Sequence, residues 1–178
     1  MRRIVLIIIL TYSCLTANGQ NKVDNYSFMK LYVTNDKGEV LLLGSKDSWE
    51  ITGARYNDTL SIHDFVNWMA QRMGIKIINI RLRGLLTFHY TYRTNPTLMH
   101  YYTADYKCGD LVLPDGCDEI KWVKKNETPK LIPFEEMNMI IQKINDCDYL
   151  FGGSFGITKD SITQKRYSKV IEPFYRLN

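Results

Sequence analysis

Residues 49–75 read WEITGARYNDTLSIHDFVNWMAQRMGI and set a short strand, a loop and a helix in direct succession. The helix is read from spacing: Ile62, Phe65, Val66, Met69 and Met73 recur at three- and four-residue intervals and so share one face. Ser61 with Asp64 makes a capping box at its start, and Gly74 stops it. Ahead of it, WEITGARYND reads as a short strand running into a loop.

Working outward from this stretch, strands lie on both sides. Upstream, FMKLYVT alternates, with Met29, Leu31 and Val33 on one face and Lys30, Tyr32 and Thr34 on the other. The turn Asn35-Asp36-Lys37-Gly38 and the strand EVLLLG complete a hairpin. Downstream, IKIINIRLRGLLTFHYTYR reads as a long strand bent or bulged at Gly84, with LMHYYTADYK as its antiparallel neighbour across Asn95-Pro96. DEIKWVK is a further short strand. FEEMNMIIQKIND, residues 134–146, is a second amphipathic helix through Phe134, Met137, Ile140, Ile141 and Ile144. The tail from about residue 148 reads as a C-terminal extension, either a short hairpin or an extended strap.

This order of elements resembles the Nudix family, whose signature is G-x5-E-x7-R-E-U-x-E-E-x-G-U, with U aliphatic, after a strand ending in a double glycine. WEITGA stands where that strand lies, Gly74-Ile75 stand where the signature ends, and Gly53 opens it at the correct total length. The resemblance covers roughly residues 28–146 and implies an α/β fold, an α/β/α sandwich around a mixed β-sheet. It further implies a hydrolase of nucleoside diphosphate-linked compounds that uses clustered carboxylates to hold a divalent ion.

The residues at the signature positions do not supply that chemistry. The R-E pair falls on Asn67 and Trp68, the E-E pair on Gln71 and Arg72, and the loop glutamate on Thr59, with Asp58 and Leu60 beside it. Trp68, Gln71 and Arg72 lie at i, i+3 and i+4, on one helix face opposite the apolar stripe. Hard cations take oxygen ligands, and Arg72 adds repulsion, so no metal site and no cofactor are expected. Two readings of this face stand side by side. In one, Trp68 stacks on a ligand while Gln71 and Arg72 donate to it. In the other, it is a solvated face with Trp68 covered by a neighbouring segment.

Glu119 resembles a downstream acid of the family, although a strand-end glutamate is equally at home in water. A hydrolase with relocated carboxylates would draw on Glu119, Asp58 and the Glu135-Glu136 pair. His63, His89 and His100 show no metal-ligand spacing, and GGSFG lacks the pattern around a serine nucleophile.

The rest of the sequence bounds the function. MRRIVLIIILTYSCLTANGQ has two arginines, an aliphatic run from Ile4 to Leu10 and a small-x-small site, which is a secretory signal peptide over residues 1–19, with lipidation at Cys14 the other processing route. The run is too short to span a membrane. What remains, residues 20–178, is one domain on length. Without Arg2 and Arg3 the basic residues number 21 against 19 acidic, no footprint for nucleic acid. Export, to the periplasm or the medium, permits disulfides. Cys108 and Cys117 flank a Gly- and Pro-containing turn, where a bridge would contribute roughly 2.7 kcal/mol. The expected function is a non-catalytic domain that binds a small anionic ligand or a protein partner.

Overall fold

The computed structural model describes residues 27–45, 48–56 and 59–178. The expected leader, Cys14 and Asp58 lie outside the described residues. The strands are β1 (Ser27–Thr34), β2 (Glu39–Ser45), β3 (Ser48–Glu50), β4 (Thr52–Arg55), β5 (Ile75–Tyr90), β6 (Thr97–Gly109), β7 (Glu119–Lys124), β8 (Phe151–Lys159) and β9 (Arg166–Arg176). The helices are α1 (Ile62–Gln71), the single turn α2 (Thr128–Leu131) and α3 (Glu135–Asp146). The strands form one nine-stranded sheet in the order β3-β2-β1-β6-β5-β8-β9, with β4 paired to β1 and β7 to β2. The sheet is mixed, because β1–β6 and β5–β8 run parallel while the other pairs are antiparallel.

Each long helix covers one face. Phe65, Val66, Met69 and Ala70 of α1 pack with Met29, Leu31, Val33, Ile75 and Ala104 in one apolar layer. Met137, Ile140, Ile141 and Ile144 of α3 pack with Tyr32, Leu86, Phe88, Tyr101 and Phe155 in the other. This is an α/β/α sandwich, and it explains why the alternation of β1 does not divide buried from exposed: Met29 through Val33 are all buried because both faces are roofed. The end of α1 also matches its sequence signal. Ser61 Oγ accepts from the Asp64 amide at 3.1 Å and donates to the Asp64 carboxylate at 2.7 Å.

The sequence reading departs from the structure at three places. The β1–β2 hairpin is joined only at its mouth, Thr34 opposite Val40, and the strands then part. WEITGA fills the gap they leave and is two strands: β3 pairs with β2, β4 pairs with β1, and fully buried Ile51 lies between them. The Cys108–Cys117 bridge is absent, and both are free thiols, as is Cys147. Cys108 ends opposite Lys76 on β5; from there the chain turns at Gly109 (φ +118°) and is drawn toward α1 by a hydrogen bond from the Val112 amide to the Met73 carbonyl. Cys117 is held further on, next to the Asp118 amide that donates to Gly44. The tail forms the β8–β9 hairpin.

Candidate functional site

The last turn of α1 brings two of the expected site residues together. The Arg72 guanidinium lies over the Trp68 ring at 5.0 Å, and Trp68 leans on Phe65 with ring centroids 5.1 Å apart. Trp68 is thus half-buried against the α1 layer, whereas Gln71 and Arg72 remain exposed. Arg72 lines a small cavity of about 140 Å³ with Leu43, Glu50, Gly53, Asp115 and Cys117. Burial pushes the Cys117 thiol pKa up.

Glu119 does not join this group. It sits opposite Gly44 in the β2–β7 register, so its side chain shares the face of Gly44 and Trp49, the reverse of the face that carries Leu43 and Ser45 into the cavity. There it is exposed and pairs with Lys121 at 3.2 Å. Glu135 and Glu136 start α3, in the opposite layer from α1. The Glu119, Glu135 and Glu136 set of a relocated active site is therefore not assembled. Among the described residues no three His, Cys, Asp or Glu side chains stand where they could hold one metal ion. The donors at positions 68, 71 and 72 do not fit a divalent cation either: an indole, a carboxamide and a guanidinium offer it one neutral oxygen and one positive charge.

A second polar group of interior side chains lies next door, on the α3 side. Lys30, at mid-strand in β1 and 6% exposed, donates to Glu50 at 2.5 Å and to the Ile51 carbonyl at 3.3 Å. A buried ammonium needs such a partner. A Cβ on Gly53 would come within 2.7 Å of both Lys30 Cδ and Phe28 Cε1, so glycine is what lets β4 close over these side chains. Glu50 lines the Arg72 cavity and also a second one of about 160 Å³. The second is walled by Phe28, Phe88, Tyr90 and Tyr101, with Arg93 stacked over Tyr90 at 4.6 Å. Its far end is closed by an ion pair between Arg166 of β9 and Glu136 of α3, the latter 3% exposed. Burial raises the Tyr90 hydroxyl pKa, against the pull of Arg166, and raises that of Tyr101 further.

Sequence reasoning missed Lys30, Glu50, Arg93, Tyr101 and Arg166. Lys30 carried a signal: a lysine flanked at two-residue spacing by Phe28 and Tyr32 shares their face and, if that face is covered, must be paired. Arg166 carried none, since its partner is thirty residues away on another element. A wider open groove of about 570 Å³ at the far end of α3 mixes Arg81, Arg83 and Lys125 with Asp105, Asp146 and Asp148, and so favours a ligand of neither sign.

Sequence comparison finds no matching family model and no matching curated protein. Structural comparison does find proteins of similar fold. A MutT mutator protein from Bacillus halodurans superposes with a TM-score of 0.68 at 20% identity, over 83% of this chain and 99% of that one. The NUDIX domain of Shewanella oneidensis NrtR, crystallised with ADP ribose, gives 0.59 at 13% identity over 75% and 96%. A NUDIX hydrolase from Nitrosomonas europaea gives 0.58 at 12% identity over 69% and 90%. Identities this low speak for architecture alone, and the architecture of this chain is the Nudix fold.

Proposed function

We propose that the protein is a non-catalytic Nudix-fold domain that binds a small anionic ligand without metal. The proposed site takes in two cavities that share Glu50: the one that Arg72 lines and the aromatic one beside α3. The observation that carries this reading is Arg72: a cation stacked on Trp68 stands at the signature position where the family places a metal-binding carboxylate, and it lines a cavity with Glu50, the partner of Lys30. Both cations suit a phosphate or carboxylate, and neither suits magnesium. The aromatic walls beyond Glu50 suit a ring attached to that anion. A structural neighbour crystallised with ADP ribose makes that compound the first to try.

The second reading, a diphosphate hydrolase with relocated carboxylates, is favoured by one feature only, the presence of Glu50 and Asp115 in the cavity that Arg72 lines. Calorimetric titration with ADP-ribose separates the two. Binding is expected in EDTA, unchanged by millimolar magnesium or manganese, with the nucleotide recovered intact. Arg72→Glu is expected to weaken it by at least roughly 1.5 kcal/mol, the loss of a charge-assisted contact. Metal-dependent cleavage that disappears in Glu50→Gln would overturn the binding reading in favour of the hydrolase.

A further inference from the structure

The cavity at the α3 end is asymmetric in what it leaves unpaired. Its acceptors are engaged: Glu136 by Arg166, Glu50 by Lys30, and the Thr97 hydroxyl by Arg93 at 3.4 Å. Two groups able to donate are not. The Arg166 Nε is buried without a hydrogen-bond partner, and Tyr101, 1% exposed, makes no hydrogen bond through its hydroxyl among the described residues. A buried guanidinium nitrogen left this way is costly unless something satisfies it. The charges that line the space are Lys30, Arg93 and Arg166 against Glu50 and Glu136, a surplus of one positive.

Arg166 is brought here by the C-terminal hairpin. Its guanidinium lies 5.0 Å from the Phe134 ring centroid and 5.9 Å from that of Tyr90. Ser168 of the same strand donates to Glu135 at 3.3 Å, so β9 is fastened to the first turn of α3 at two points. The space of about 160 Å³ is close to five times the roughly 30 Å³ share of one liquid water, room for a single six-membered ring with a small substituent.

We propose that Arg166 and Tyr101 determine which ring enters this cavity: a planar one that presents a hydrogen-bond acceptor, neutral or singly negative, in preference to one that presents only donors. The inference rests on the reading of the two cavities as a ligand site and names the chemistry of the one beside α3. Benzoate, benzamide and benzamidinium share one shape and differ only in what they offer, so they are the probes. Followed by protein NMR shifts, benzoate and benzamide are expected to perturb residues around Tyr90 and Met99, with benzamidinium at least about tenfold weaker. Tyr101→Phe, which keeps the ring, and Arg166→Lys, which keeps the charge, are each expected to weaken benzoate about three- to tenfold with the fold intact by its NMR spectrum. Benzamidinium binding as well as benzoate, or benzoate binding indifferent to both substitutions, would overturn the selection by Arg166 and Tyr101 while leaving the ligand site standing. No binding by any of the three would overturn both this inference and the cavity beside α3 as part of the ligand site; the Arg72 cavity is tested separately by the ADP-ribose titration.

Discussion

Tyr32 shows how a side chain at the edge of the hydrophobic layer couples stability to pH. It is 3% exposed, and its hydroxyl donates to Asn145 Oδ1 at 3.0 Å. Burial pushes its pKa up to about 12. Below pH 10 the phenol is neutral in the folded and unfolded chain alike, and stability is independent of this group. Between pH 10 and about 12 the unfolded chain loses the proton and the folded one keeps it, so stability falls, by about 1.4 kcal/mol for each pH unit. Urea unfolding at pH 9, 10 and 11 is expected to show this fall, and Tyr32→Phe is expected to make it shallower. Tyr90, Tyr101 and Tyr102, pushed the same way by burial, contribute to the part that remains.

At the scale of elements, the α1–β5 junction depends on one glycine. Gly74 has φ +77°, and a Cβ there would lie 2.1 Å from the Asp110 carbonyl oxygen and 2.7 Å from Val112 Cγ2. Both the left-handed backbone and the backbone neighbour resist a side chain. Gly74→Ala is therefore expected to cost roughly 2 kcal/mol or more, measurable as a drop in the urea midpoint. This glycine, the capped helix before it and the long bulged strand after it are all legible in the sequence, because each is governed by local spacing and local backbone preference. The register shift between Leu82 and Gly84 bears out the bulge read from the glycine. The splitting of WEITGA between β2 and β1 is not legible, since which strand a short segment joins depends on where β1 and β2 separate. The candidate site was legible only at its α1 end. Trp68 and Arg72 meet because helical spacing guarantees it, whereas Glu119 was misplaced because strand parity turns it to the other face, and the Arg166–Glu136 pair arises from tertiary packing alone.

At the scale of the whole molecule the question is where the protein works. We propose that it is exported and that residues 1–19 are removed. Intact-mass measurement on protein taken from the periplasm or medium is expected to place the first residue at Gln20; a lipid-modified Cys14 would assign the other route, and retention of Met1 would overturn export. The sheet topology also has a kinetic side. The two parallel pairings join strands far apart in the chain: Ser27 lies opposite Leu98, and Gly84 opposite Phe151, each separation about 70 residues. When β1 leaves the ribosome its central neighbour has not yet been made, and β5 waits as long for β8. Such long-range pairing slows folding, because loops must close before contacts reward them. A chain built this way cannot complete its sheet until the residues of β8 have been made, however early its local hairpins form.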